Sequence, residues 1–307
     1  MTDDAVRAAP GAVFLGLYPL DPALRDPVAV RQALVAHPGV AGVELPWLGL
    51  DDTLALADRV LGAAPHWRLQ ITGIPATMRA LADEPGRGLA ATHEQTRAAA
   101  VATAREQLAA VRAIERRWGS GRVAAVLLHS APRGGSAAAL RRSLEDLLTE
   151  DRGAAELLLE HVDAPRPGRE PAKGFLPLDD ELAVAAELGA GVAINWGRSA
   201  IELRDPDAVT RHIATARDAG VLRALVLSGA ADVDGVFGPA WSDAHLPPTA
   251  SAADSLLTAE RIRSAVDAAG EGVLLGAKFG WRGDDAGAVA MLEAALDVAA
   301  MGTPTRA

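Results

Sequence analysis

Short apolar runs rich in Val, Leu and Ile alternate along the chain with longer stretches in which Leu, Val and Ala recur every three or four positions. The first pattern predicts buried strands and the second helices with one apolar face. Strands are predicted over residues 12–18, 40–45, 68–72, 123–129, 156–161, 192–196, 224–228 and 273–279. Helices are predicted over 27–37, 51–63, 92–118, 137–149, 179–188, 206–219, 258–269 and 284–300. Several open on a cap or a first-turn proline: Asp26-Pro27, Thr92, Asp205-Pro206 and Thr258.

Strict alternation of eight strands and eight helices is what a (β/α)8 TIM barrel requires. A doubly wound open sheet would carry a glycine-rich loop after its first strand, whereas Leu17-Tyr18-Pro19-Leu20 stands there. The predicted fold class is therefore α/β, a single (β/α)8 TIM barrel over residues 1–307, with residues 1–11 and 301–307 as flexible termini. Three long connections, 73–91, 162–178 and 229–257, all follow strands, on the side where barrels build their sites. The last is a candidate lid or subunit contact, and a homo-oligomer is one arrangement open to the chain.

Composition narrows the chemistry. Hydrophobic residues make up 50% but aromatic ones only 4%, which suits alanine-rich helices around short strands. A net charge of −10 argues against a nucleic-acid partner, which needs a basic face. The absence of cysteine excludes disulfides, thiolate metal sites and a cysteine nucleophile. The N-terminal Met1-Thr2-Asp3-Asp4-Ala5 has no secretory signal and no apolar run approaches a bilayer span of about 20 residues, so a cytoplasmic protein with no membrane partner is expected. Of 30 basic residues only Lys173 and Lys278 are lysines, an arginine bias against which a retained lysine stands out.

The candidate site comes from the strand ends. Leu157-Leu158-Leu159 runs straight into Glu160-His161-Val162-Asp163. A carboxylate left unpaired in a strand interior loses several kcal/mol of hydration or takes up a proton, so such a cluster belongs at a cleft. Side chains alternate along a strand. Taking Glu44, His129, Glu160, Asn195, Ser228 and Lys278 as inward places Gly42, Leu127, Leu158, Ala193, Val226 and Gly276 one layer below, all small or apolar. Tyr18 extends the ring to the first strand, and Trp47 and Arg282 follow the second and last strands.

Each residue has a duller role open to it. Glu44 either pairs with an arginine or meets a ligand. His129 is either a core histidine or a site residue, and Glu160 either an ion-pair partner of Lys278 or a catalytic carboxylate. His161 and Asp163 alternate away from Glu160 or enter the loop, where they orient rather than react. Asn195 and Trp196 suit a hydroxyl and a sugar face, yet Trp196 equally suits packing under a loop. Ser228 lacks a nucleophile elbow. A buried Lys278 ammonium requires a partner, which Glu160 supplies.

Strand-end Glu44, His129, Glu160 with His161, and Asn195-Trp196 make the chain resemble the xylose-isomerase-like TIM barrels, most specifically at Leu158-Leu159-Glu160-His161, and within them a poorly characterised bacterial branch. The resemblance covers essentially the whole chain and implies sugar isomerase or epimerase chemistry. It also implies a divalent metal held from strands five to eight, at places that here hold Glu160, Asn195, Ser228 and Lys278. Only Glu160 is a good ligand in that set, so no metal residues and no cofactor are assigned. A non-standard metal site of Glu44, His129 and Glu160 stays open.

The expected activity is isomerisation or epimerisation of a sugar or sugar derivative by proton transfer next to a carbonyl. Glu160 would be the base, His129 the proton donor or carbonyl polariser, and Lys278 the charge that stabilises an enediolate. Tyr18, Glu44, Trp47, His161, Asn195, Trp196, Ser228 and Arg282 would bind the sugar or polyol. A non-catalytic carbohydrate-binding barrel and a Schiff-base lyase using Lys278 are the alternatives.

Overall fold

In the computed structural model, which describes residues 12–20 and 27–301, eight parallel strands close into a barrel in sequence order. They are β1 (Val13–Gly16), β2 (Val40–Pro46), β3 (Arg68–Thr72), β4 (Val123–Leu128), β5 (Glu156–His161), β6 (Gly191–Asn195), β7 (Leu222–Leu227) and β8 (Leu274–Lys278). Outside them pack α1 (Val28–Leu34), α2 (Leu50–Ala63), α3 (Ile74–Asp83), α4 (Glu94–Trp118), α5 (Ala137–Leu148), α6 (Leu178–Leu188), α7 (Trp196–Leu203), α8 (Val209–Asp218), α9 (Ala259–Ala269) and α10 (Asp285–Met301). The expectation of flexible termini falls on residues outside the described ones, apart from Met301, which closes α10.

All eight strands occur where the apolar runs place them. Two helices do not appear in the periodicity. The first, α3, occupies a connection read as loop because Gly73, Pro75, Pro85, Gly86 and Gly88 punctuate it. Proline sits in the first turn of α3, where a missing N–H removes no helix bond. The second, α7, begins at Trp196, which periodicity assigns to the end of a strand. Two of the expected caps act as such: Thr258 Oγ1 accepts from the Arg261 N–H, and Asp205 caps a 3-10 turn over Pro206–Ala208. Thr92 does not, since α4 opens one residue later, after His93, and Asp26 lies outside the described residues.

The inward parity also holds. Ala125, Leu127, Leu158, Ala193 and Ala224 form one buried cluster inside the barrel, beneath the polar strand ends. The outward residues of the strands join the larger core against the helices, including Val126, Leu159, Val192 and Leu225. Gly42 has no room for a side chain, since a Cβ there would lie 1.8 Å from the Arg68 carbonyl oxygen. Among the described residues no helix is long and apolar enough to cross a membrane.

Candidate active site

The register of three strands sets the first pair of charges. Gly16 is the partner of Glu44 on β2 and of Lys278 on β8. With no side chain between them, the Lys278 stem lies across β1, and its Nζ comes within 2.7 Å of Glu44 Oε1. A Cβ on Gly16 would stand 3.0 Å from Lys278 Cγ. The Tyr18 hydroxyl donates to Glu44 Oε1 at 3.5 Å, and its ring faces the ammonium at 5.7 Å.

Glu160 is the hub of the second set. His129 Nε2 lies 2.9 Å from Glu160 Oε2. On Oε1, Asn195 Nδ2 donates at 3.2 Å, Arg198 Nη1 approaches to 2.7 Å and Lys278 Nζ stands at 3.7 Å. Asn195 does two jobs, because its Oδ1 also accepts from the Arg198 N–H as the cap of α7. The cap aims the first turn of α7, and hence Arg198, into the barrel mouth.

Two long connections complete the cluster. Asp243 Oδ2 accepts from Arg198 Nε at 3.1 Å and pairs with Lys173 Nζ. His245 Nδ1 bonds Ser228 Oγ at 2.8 Å and lies 3.5 Å from Asp243 Oδ1. Glu160, Asn195 and Lys278 are fully excluded from solvent, and Arg198 and Ser228 nearly so.

Burial and charge pull these groups apart electrostatically. Burial alone would raise the Glu160 pKa, but Arg198, Lys278 and His129 outweigh it and hold the carboxyl well below the ordinary range. Burial raises Glu44, and Lys278 only partly offsets it. Against its own burial, the Lys278 ammonium is held by Glu160, Glu44 and Tyr18 and titrates above its usual range. Burial brings His129 down to about 4 and His245 to about 3, so both imidazoles are neutral near pH 7. Asp243, buried but faced by Arg198 and Lys173, stays well below the carboxylate range. The cluster thus contains three cations, three carboxyl groups and two neutral imidazoles.

Tyr18, Glu44, His129, Glu160, Asn195, Ser228 and Lys278 are thus brought together, as inward parity predicts. Four other expected residues lie elsewhere. His161 alternates to the outer face of β5, where Nδ1 meets Glu181 Oε2 at 2.6 Å and Nε2 meets Glu202 Oε2 at 2.9 Å, so both ring nitrogens are engaged in the barrel wall and away from the lumen. Trp196 is 1% exposed inside the helix–barrel core, because α7 starts there, and it has no free face for stacking on a sugar. Trp47 is likewise core. It lines a cleft of about 310 Å³ between α3 and α4 that reaches His129. Arg282 is exposed, with its guanidinium over the Phe237 ring at 5.4 Å.

Arg198, Asp243, His245 and Lys173 escape strand-end reasoning because none of them lies on a strand. An Asn-x-x-Arg cap reading of Asn195 would have found Arg198, while nothing local marks Asp243. Among the described residues, His161, Glu202 and His212 are grouped closely enough to hold a metal. That group is already satisfied. Arg166 covers Glu202 Oε1, the Ala164 N–H and His161 share Oε2, and burial opposed by Glu181 and Glu202 leaves His161 charged, its pKa pushed up to about 10.

Comparison with known proteins agrees with this architecture. The chain is 34% identical over 269 residues to the uncharacterized protein STM3670 of Salmonella typhimurium, a match covering 83% of this chain and 84% of that one. A Rhodospirillum rubrum protein named for xylose isomerase superposes with a TM-score of 0.62 at 14% identity, covering 95% of this chain and 99% of the other. A D-psicose 3-epimerase superposes with a TM-score of 0.53 at 14% identity over 92% of both chains. At such identities these likenesses show a shared (β/α)8 barrel fold. Matched from residue 15 to residue 293, the chain belongs to the family described as a domain of unknown function, DUF4862.

Proposed function

We propose that the protein is an isomerase or epimerase of a sugar or sugar derivative, working by proton transfer next to a carbonyl, with lumen cations in place of a divalent metal. The observation that carries this reading is Lys278. Its ammonium is fully buried, paired with Glu44 at 2.7 Å and 3.7 Å from Glu160, contacts that do not engage all three of its N–H groups. A fixed buried charge with donors to spare is suited to an oxygen that gains negative charge in the transition state.

The roles follow from the proton affinities. Glu160 has both oxygens engaged and a depressed pKa, which makes it a weak base. It acts as the anion that anchors Lys278, Arg198 and His129. Glu44, its pKa raised by burial, is the better proton acceptor and donor. It would take the proton from carbon next to the carbonyl and return it to the neighbouring carbon on the same face, whereas an epimerisation would take its returning proton from a second acid on the opposite face. Lys278 would hold the enediolate oxygen. Neutral His129, whose Nδ1 has no hydrogen-bond partner among the described residues, would relay a hydroxyl proton.

The donor set does not fit a divalent metal. At the four strand positions that would ligate one, Glu160 is the sole carboxylate, and Arg198 and Lys278 already crowd its Oε1 at 2.7 and 3.7 Å. A further cation there would face two fixed positive charges. The lyase reading loses support because the raised Lys278 pKa disfavours the free amine that Schiff-base formation requires.

Incubation in deuterated water with a panel of aldoses, ketoses, their acids and phosphates is the test. Deuterium should enter the substrate at carbon next to the carbonyl, and both Glu44→Gln and Lys278→Met should abolish exchange. Exchange that is unaffected by Glu44→Gln, or absent across the panel, would overturn the proposal.

A further inference from the structure

Asp243 ties a long segment to the cations of the lumen, beside the His245–Ser228 bond and a bond from the Gly280 N–H to the His245 carbonyl at 2.6 Å. Gly229 and Leu246 exchange backbone hydrogen bonds of 2.8 and 3.1 Å, so residues 230–245 leave and return at a single point. A side chain at Gly229 is not accommodated, since a Cβ would lie 2.5 Å from the Leu246 carbonyl oxygen. Within the segment Asp243 is flanked by two non-glycine residues in the left-handed region, Trp241 at φ 59° and His245 at φ 53°. Such backbone is unfavourable for residues with a Cβ and persists where surrounding contacts impose it. Here those contacts include the bonds of Asp243 to Arg198 and Lys173. Lys173 belongs to the connection after β5, so one carboxylate ties two loops to the mouth of the barrel. Apolar burial is uneven along the segment: Ala230 and Ala231 are buried and Trp241 packs on the core, while Val233 and Val236 are 49% and 78% exposed.

The charges of the cluster balance only with Asp243 in place. Lys173, Arg198 and Lys278 face Asp243, Glu160 and Glu44. Lifting the segment removes one negative charge, leaving Lys173 without its carboxylate partner and Arg198 with Glu160 alone. Poorly hydrated cations without a partner are strongly unfavourable. A ligand carboxylate or phosphate in that place would restore the balance, and a neutral hydroxyl would not.

We propose that Asp243 is an internal stand-in for an acidic group of the ligand. The substrates would be sugars bearing a carboxylate or phosphate, which replaces Asp243 on Arg198 and Lys173 as segment 230–245 opens. This rests on the lumen being the ligand site of the proposed isomerase, and it names the class of sugar. It also accounts for how the segment over the lumen is released, because the incoming anion takes over the ion pairs of Asp243.

The test compares wild type with Asp243→Asn by thermal unfolding and calorimetry. Each is measured with D-glucuronate, D-glucose 6-phosphate or D-glucose, at ionic strength matched with sodium chloride. Asp243→Asn should melt lower than wild type, and an anionic sugar should restore its stability while D-glucose should not. With the internal competitor gone, the Kd for the preferred anionic sugar should tighten by roughly tenfold or more. Which of the two anions is preferred separates carboxylate from phosphate. Because Asp243→Asn could fold poorly, Lys173→Met is added to it. That double variant regains balanced charge, so it should fold without added anion and lose the anion-specific stabilisation. Anionic sugars that protect neither protein beyond the chloride control would overturn the inference, as would an Asp243→Asn variant as stable as wild type with no preference for anions. Deuterium exchange is a separate readout, so failure here leaves the isomerase proposal standing, and anion binding without exchange does the reverse.

Discussion

Gly16 carries no chemistry, yet it decides how Lys278 lies. A methyl group there would meet the lysine stem at 3.0 Å, and the stem is fully buried with little space to yield. Gly16→Ala should lower unfolding free energy by about 1–3 kcal/mol, the usual range for overpacking, as urea titration would show. Glu160→Gln keeps the shape but removes the anion facing Arg198, Lys278 and His129. Losing one partner of a buried ion network should destabilise by about 3–5 kcal/mol in the same measurement, far more than a surface carboxylate would. Glu44, His129, Glu160 and Lys278 were legible from the sequence because alternation along a strand ties facing direction to position. The pairing was not. Strand-end reasoning pairs Lys278 with Glu160, whereas it lies nearer Glu44, and Arg198 is the closer cation to Glu160. Which of two inward carboxylates a flexible lysine reaches depends on strand stagger, which a single sequence does not state.

At the scale of elements, α7 links the lumen to the barrel wall. Asn195→Ala removes both the cap of α7 and a hydrogen bond to Glu160, and should cost about 1–2 kcal/mol in chemical denaturation. On the outer side, Glu202 of α7 and Glu181 of α6 clamp His161 of β5. Its folded-state pKa of about 10 lies above the ordinary 6.5, so this stabilisation is fully present below about pH 6.5 and is lost as pH rises through 10. Unfolding free energy measured from pH 6.5 to 10 should therefore fall in wild type by up to about 1.4 kcal/mol per pH unit relative to His161→Gln. Parallel slopes for the two proteins would show that His161 is not held charged. The helix α7 escaped the sequence reading because its apolar Trp196 continues the run of β6, and α3 because glycine and proline surround it. In both cases tertiary packing overrides a local signal.

For the whole molecule, three buried imidazoles make a prediction about acid, His129 and His245 at the lumen and His212 on α8 in the wall. His129, His212 and His245 are depressed to about 4, 4 and 3, so the unfolded chain takes protons that the folded one refuses. Their contribution is present above about pH 6.5 and is lost as pH falls toward 4, by up to about 1.4 kcal/mol per unit for each. Depressed Glu160, Asp243 and Glu202 extend the loss below 4.5. Glu44 and Glu181 are raised and act in the opposite sense, but they are fewer. Urea unfolding should show stability declining from pH 6.5 to 4, and a flat profile would mean that these imidazoles are hydrated. Hydrophobic periodicity by itself determined the barrel, its eight strands and the inward ring, because burial in a closed parallel sheet leaves no other place for alternating apolar and ionisable positions. Only the tertiary structure decided which charges pair and what covers them. Arg198, Lys173 and Asp243 come from a helix start and two loops that share no periodicity with the strands, and their meeting depends on how those segments fold over the barrel mouth.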